Sequence, residues 1–190
     1  MGYAIAEELA WRGMEVVLVS GPVALTLNHP LVTIVPVRSA SEMYEACLLH
    51  FPSCHAAVMC AAVADYRPVK AATEKIKRTA DGLTLHLEPN KDIAAELGKR
   101  KKKGQVLAGF ALETTNGLQH AKEKLKKKNL DFIVLNSLGE GQTGFGYDTN
   151  KVIIIDKHNK IRRFPLKSKK EVAVDVADTL LSFMQKSKNI

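Results

Sequence analysis

The sequence predicts an α/β fold in which helices cover both faces of a doubly wound, mostly parallel sheet. Apolar segments of strand length alternate along the chain with segments whose apolar residues recur at helical spacing. Several strand segments, such as residues 56–61 with the sequence AAVMCA, are continuously apolar, which is typical of strands covered on both faces. A length of 190 residues and a hydrophobic content of 46% fit a single domain over residues 1–190.

Hydrophobic periodicity places the elements in order. Helices are predicted over residues 2–12 and over residues 169–185. Three more are predicted between them: one that starts at Ser39 or Ser41 and includes Met43, one from a cap at Asn90 through Leu97, and one from Thr115 or Asn116 through Lys128. Strands are predicted at residues 15–20, 32–37, 56–61, 83–87, 105–111, 131–136, 151–156 and 160–165. The last two strands form a predicted hairpin arm over residues 147–166. Residues 66–82, with Pro68, Gly82 and many charges, are predicted to be a mobile loop.

The charge and cysteine content narrow the function classes. A net charge of +8 comes largely from lysine runs at residues 99–103 and 122–128, but neither run contains aromatic residues that could stack on bases. We therefore expect no nucleic acid partner, although a basic nucleic-acid binder stays an alternative. No apolar run approaches the roughly 18 to 20 residues that cross a bilayer, so we expect no membrane contact and a cytoplasmic location. The three cysteines show no C-x-x-C spacing, and reduced thiols are expected.

Three patterns suggest an NADP-dependent short-chain-type oxidoreductase. Residues 1–21 resemble the first helix and second strand of that class, residues 66–70 spell Y-x-x-x-K, and residues 139–144 spell G-x-G-x-x-G. The context disagrees, because Pro68 disfavours a helix that would carry both Tyr66 and Lys70, and a strand follows the glycine motif instead of a helix. No P-loop or G-x-S-x-G motif is present, and the histidines show no metal-ligand spacing, so no protein side chain is predicted to bind a metal.

A candidate site lies where the strand at residues 56–61 ends. Ala61 and Ala62 leave room beside the backbone, and Asp65 and Arg67 supply charge at the carboxyl end of a strand, where ligands of α/β sheets collect. The alternative is that Asp65 only caps a turn before Pro68.

Lysines downstream of this corner suit a phosphorylated ligand. Lys75 and Lys77 lie in the following loop, and Lys124 and Lys128 share one face of a predicted helix. For each of these lysines, simple solvent exposure is the alternative.

Four ordered segments resemble one enzyme family. They are CAAVADYRP at residues 60–68, EKIK at 74–77, GFALET at 109–114 and KEKLKKKNLDFIVLN at 122–136. In order and spacing they are similar to phosphopantothenoylcysteine synthetase, the synthetase domain of the bacterial bifunctional coenzyme A biosynthesis protein, over residues 2 to about 155. The resemblance implies a Rossmann-like three-layer fold and a homodimer joined by the hairpin arm. It also implies that this chain lacks the family's N-terminal strand and substrate loop. Whether a decarboxylase domain is fused upstream stays open.

The resemblance further implies a reaction. The carboxylate of 4'-phosphopantothenate attacks the α-phosphate of CTP, with Mg²⁺, and pyrophosphate leaves; the amine of cysteine then displaces CMP from the acyl-cytidylate. Asp65 and Lys75 are implied as catalytic residues, and residues 77–81 as a flap over the intermediate. For Phe110, core packing is the alternative, and the choice of CTP over ATP stays open. The residues implied to bind the nucleotide are Ala61, Ala62, Asp65, Lys75, Glu88, Pro89, Asn90, Lys91, Phe110, Lys124 and Lys128.

Overall fold

The computed structural model describes residues 1–70, 72, 74–78, 82–113, 116–137 and 147–188. Helices are found at each predicted place in these residues: α1 (Gly2–Trp11), α2 (Ala40–His50), α3 (Ile93–Arg100), α4 (Gly117–Lys127) and α5 (Lys169–Lys188). The strands are β1 (Val16–Ser20), β2 (Val32–Pro36), β3 (Ala56–Met59), β4 (Tyr66–Pro68), β5 (Leu87–Pro89), β6 (Val106–Glu113), β7 (Phe132–Ser137), β8 (Thr149–Asn150), β9 (Val152–Asp156), β10 (Ile161–Arg163) and β11 (Lys167–Ser168). None of the helices in the described ranges is both long and apolar enough to span a membrane.

The central sheet has the order β10-β9-β7-β6-β3. β3, β6 and β7 are parallel, and β9 and β10 add two antiparallel strands at one edge. β1 and β2 form a separate parallel pair, while β4 with β5 and β8 with β11 form short antiparallel ribbons. The predicted fold class, a mixed α/β fold with a mostly parallel core, is confirmed.

Helices cover both faces of the central sheet. Residues of α1 and α5, such as Ile5 and Val176, pack against one face of the sheet. On the other face, residues of α2, α3 and α4, such as Met43, Leu97 and Leu125, form a second cluster. The continuously apolar strands follow from this arrangement, because both sides of each central strand are covered.

Three predicted elements differ from the structure. Asn90 does not cap α3; Asp92 does, and its carboxylate accepts the Ala95 N–H at 3.0 Å. The strand predicted at residues 83–87 is wrong, because residues 82–86 have no regular structure and the pairing begins only at Leu87, opposite Pro68. The predicted loop at residues 66–82 begins with a strand, β4. The predicted hairpin is present as β9 and β10, which extend the central sheet.

A buried carboxylate stands at the start of β7. Asp131 is 3% exposed and accepts hydrogen bonds from the Leu107 N–H at 2.8 Å, from Lys101 Nζ at 3.0 Å and from Lys157 Nζ at 2.8 Å. Burial acts to raise the pKa of Asp131, but the Lys157 ammonium, the Leu107 N–H and Lys101 outweigh it and hold the pKa below its usual value. The three segments that meet here are therefore joined through one side chain.

Candidate functional site

A cavity of about 180 Å³ opens beside the carboxyl end of β3. It is bounded by the loop after β3, the first turn of α3, strands β6 and β7, and the C-terminal half of α4. The lining residues are Met59, Ala61, Val63, Ala64, Asp65, Asn90, Lys91, Asp92, Ile93, Ala94, Gly109, Phe110, Lys124, Lys128, Leu130 and Ile133. The lining combines apolar side chains with a few charged ones, as expected for a site that orients a ligand by a few polar groups.

Asn90 holds two walls of the cavity together. Its Nδ2 donates to the carbonyl oxygen of Ala64 at 2.9 Å, and its backbone N–H donates to the carbonyl oxygen of Asp65 at 2.8 Å. These bonds fix the loop after β3 against the segment that leads into α3. The side chain of Asn90 therefore shapes the cavity, although the sequence suggested a helix cap for it.

Lys128 is paired with the carboxylate that caps α3. Lys128 Nζ lies 3.0 Å from Asp92 Oδ2, while the other oxygen of Asp92 accepts the Ala95 N–H. Burial acts to raise the pKa of Asp92, but the Ala95 N–H and the Lys128 ammonium outweigh this effect, so the pKa lies below its usual value. Asp92 thereby stays ionised and holds both the helix N-terminus and a cavity lysine.

Lys124 is paired with the last residue of β6. Its Nζ lies 2.5 Å from Glu113 Oε1, and His120 Nδ1 lies 3.3 Å from Glu113 Oε2. The Lys124 hydrogen bond is the main reason that the pKa of Glu113 is below its usual value. At the rim, Lys91 lies 4.4 Å from the centre of the Tyr44 ring and 3.8 Å from Glu45 Oε1.

The structure brings most of the sequence-predicted site residues to this cavity. The lining includes Ala61, Asp65, Asn90, Lys91, Phe110, Lys124 and Lys128. Four predicted residues, Ala62, Lys75, Glu88 and Pro89, are not among the lining residues.

Two of these four have a clear placement elsewhere. Lys75 is exposed and lies among residues 74–78, which have no regular structure. Glu88 Oε1 lies 2.8 Å from Arg67 Nε on the β4–β5 ribbon. Of the predicted flap, residues 79–81 lie outside the described residues, as does the glycine motif at residues 139–144.

Sequence reasoning missed the two carboxylates that pair with the lysines. Asp92 carries a usable signal, because an aspartate directly before the apolar pair Ile93 and Leu97 is typical of a helix cap. Glu113 carries none, because it meets Lys124, eleven residues later, only through the packing of α4 beside the end of β6. The oxidoreductase interpretation finds no support, since Tyr66 lies in strand β4 and not on a helix with Lys70.

Comparison with known proteins finds relatives of this chain. Residues 1–184 match the family described as the DNA/pantothenate metabolism flavoprotein C-terminal domain. A protein named cysteine/cysteine sulfinic acid decarboxylase, from an unknown prokaryotic organism, is 49% identical over 97% of this chain and 51% of its own length. The coenzyme A biosynthesis bifunctional protein CoaBC of Bacillus subtilis (strain 168) is 39% identical over 98% of this chain and 46% of its own length.

A solved structure resembles the whole chain. The crystal structure of the C-terminal domain of coenzyme A biosynthesis bifunctional protein CoaBC has a TM-score of 0.81 and 38% identity, and the match covers 97% of this chain and 82% of that one. The chain spans about half the length of the curated relatives it matches. From the family match and the shared fold, the chain belongs to the DNA/pantothenate metabolism flavoprotein C-terminal domain family.

Proposed function

We propose that this chain is a CTP-dependent phosphopantothenate–cysteine ligase domain of coenzyme A biosynthesis. The observation that carries the proposal is the cavity in which Asp65, Lys124 and Lys128 meet beside the carboxyl end of β3. The 38% identity to the solved C-terminal domain of CoaBC, over nearly the whole chain, supports it. The relative named as a decarboxylase gives little support for a second activity, because the match covers only half of that protein.

The cavity suits a reaction that joins two anions. A free carboxylate is a poor acyl donor, so the proposed enzyme first converts 4'-phosphopantothenate into an acyl-cytidylate at the expense of CTP. Bringing a carboxylate to a triphosphate requires that their repulsion be neutralised and that the reacting atoms be aligned. Lys124 and Lys128 of the cavity lining supply positive charge, and the loop that contains Asp65, bonded to Asn90 through Ala64, also lines the cavity. No protein nucleophile is required in this scheme.

Magnesium would be held in this cavity mainly by the phosphates of the nucleotide. Mg²⁺ in nucleotide sites is held by one or two carboxylates together with phosphate oxygens and water. In the described part of the lining, the carboxylates are Asp65 and Asp92, and Asp92 is already engaged by Lys128 and by the α3 N-terminus. Across the described ranges, no group of three or more His, Cys, Asp or Glu side chains is placed to hold a metal. The ion would neutralise phosphate charge, with Asp65 as the available carboxylate.

The size of the cavity bears on the role of Lys75. Small-molecule pockets commonly enclose about 300–1,000 Å³, more than the 180 Å³ found here. A bound CTP would therefore extend beyond the cavity. Lys75 lies in the segment between β4 and β5, the ribbon that begins next to Asp65 and ends next to Asn90, both of which line the cavity. We propose that this segment closes over the triphosphate, bringing Lys75 to the phosphates and keeping water from the acyl-cytidylate.

A ligand-dependent assay tests the function. With CTP, 4'-phosphopantothenate and cysteine, the full-length protein that carries this chain is expected to release pyrophosphate and then CMP, with CMP release dependent on cysteine. A thermal-shift comparison with Mg²⁺ is expected to show saturable stabilisation by CTP that exceeds that by ATP or NADP. Cysteine-independent CMP release would contradict the amide-forming step. Stabilisation by NADP alone would favour an oxidoreductase.

We also propose a cytoplasmic homodimer joined through the hairpin of β9 and β10. β10 is one of the two edge strands of the central sheet as far as the structure describes it, and an exposed edge is a natural pairing surface. Ile161 at this edge is partly exposed. Sedimentation equilibrium is expected to give twice the chain mass, and Ile161→Lys is expected to shift the protein towards monomer. A dimer that is unaffected by this substitution would place the interface elsewhere.

A further inference from the structure

Glu113 is a carboxylate beside the cavity for which the proposed chemistry has no role. It is the last residue of β6, and its side chain is 17% exposed, whereas that of its partner Lys124 is 44% exposed. The short contact between Lys124 Nζ and Glu113 Oε1, at 2.5 Å, joins the central sheet to α4. Glu113 therefore presents a charged acceptor from a rigid element to a lysine that lines the cavity.

The pairing restricts a side chain that is otherwise very flexible. Confining a lysine side chain costs about 1.5–2 kcal/mol of rotamer entropy, so a lysine that is already confined loses less freedom when a ligand arrives. An ammonium group has three N–H donors. Glu113 Oε1 occupies one of them, which leaves two for another acceptor.

We propose that Glu113 is a positioning residue for nucleotide binding, which holds Lys124 from the sheet edge so that its remaining N–H groups meet the phosphates of CTP. This inference rests on the proposed function. His120 contacts the same carboxylate, but through Oε2, whereas Lys124 contacts Oε1. The two side chains therefore do not compete for one oxygen atom of Glu113. A purely structural ion pair would instead affect stability and leave CTP affinity to Lys124 alone.

A double-mutant cycle on CTP affinity separates these roles. By isothermal titration with CTP and Mg²⁺, Lys124→Ala is expected to weaken affinity about 10-fold and Glu113→Ala about 5-fold. The double variant is expected to lose about 10-fold, not the roughly 50-fold that independent effects would give. Glu113→Gln, which keeps an oxygen acceptor of the same length, is expected to stay within about 3-fold of the unmodified protein. Glu123→Ala, at an exposed position of the same helix, is the matched control and is expected to change nothing.

The outcomes distinguish this inference from the function on which it rests. Absence of CTP binding by the unmodified protein would overturn both. CTP binding with multiplicative losses in the double variant would overturn only the role of Glu113, and so would a glutamine variant as weak as the alanine variant. Thermal unfolding of each variant, measured alongside, shows that affinity is compared between folded proteins.

Discussion

Replacing Asp131 with alanine is expected to lower the free energy of unfolding by about 3–5 kcal/mol, the range found when one partner of a buried ion pair is removed. The Asp131 carboxylate is 3% exposed and accepts bonds from Leu107, Lys101 and Lys157. Its removal leaves the Leu107 N–H without this acceptor and leaves Lys101, which is 12% exposed, without its carboxylate. Urea unfolding at pH 7 measures the loss.

The same carboxylate predicts a pH dependence with a definite sign. Because the pKa of Asp131 is lower in the folded protein than in the unfolded chain, its contribution to stability is complete above the unfolded value of about 3.9. This contribution is lost as the pH falls through the folded pKa. The difference in unfolding free energy between the unmodified protein and Asp131→Asn is therefore expected to be large at pH 7 and to shrink in strong acid.

An exposed aspartate provides the control for both measurements. Asp178 pairs with Arg12 but is 58% exposed, and an exposed ion pair contributes about 0–1 kcal/mol. Asp178→Ala is expected to unfold close to the unmodified protein at each pH. Equal losses for the two substitutions would show that Asp131 has no special stabilising role.

Gly98→Ala is expected to destabilise the protein by about 1–3 kcal/mol through overpacking, even though alanine is the better helix former by about 1 kcal/mol. Gly98 lies in α3, and a Cβ atom there would overlap the carbonyl oxygen of Lys128 and lie 2.9 Å from its carbonyl carbon. Both are backbone atoms, so no side-chain rotation relieves the overlap. The hydrogen bond from Asn129 Nδ2 to the Gly98 carbonyl oxygen, at 2.8 Å, holds the same contact.

This substitution also displaces a cavity residue. Because the clash falls on the backbone of Lys128, we expect Gly98→Ala to weaken CTP affinity as well as stability. Chemical unfolding and calorimetric titration with CTP measure the two effects. Gly21→Ala is the matched control, since a Cβ atom at Gly21 would have only Met43 Cε near it, at 4.0 Å, and Gly21 does not line the cavity. A Gly98→Ala variant more stable than the unmodified protein would show that the α3 and α4 backbones separate without cost.

Much of the fold follows from local patterns in the sequence, and the exceptions have physical reasons. The continuously apolar strands and the helices with one apolar face were placed within a few residues of their observed bounds, because covering both sides of a sheet imposes those patterns. Residues 83–87 alternate between apolar and polar side chains, as a strand with one covered face would, yet Leu83 and Leu85 are 66% and 59% exposed. Alternation indicates a possible strand, but a strand also needs a partner, which the local sequence does not specify.

The sequence predicts which residues form the candidate site better than it predicts the ion pairs between them. The aspartate at the end of an apolar strand and the lysines four residues apart were visible in the sequence, and the structure gathers Asp65, Lys124 and Lys128 around one cavity. The carboxylate of Asp92 reaches Lys128 across thirty-six positions of sequence. Such long-range pairs depend on how α3 and α4 pack, and no spacing rule encodes them.

Among the residues that the structure describes, each lysine that lines the cavity meets a carboxylate: Lys91 faces Glu45, Lys124 faces Glu113 and Lys128 faces Asp92. A pocket neutralised in this way offers a lone chloride or sulfate ion little electrostatic gain. A triphosphate differs, because its linked negative charges can contact several lysine ammonium groups at once. Each lysine can then keep its ion pair with a carboxylate. Discrimination against the simple salts of the cell would then arise from the carboxylates as much as from the lysines.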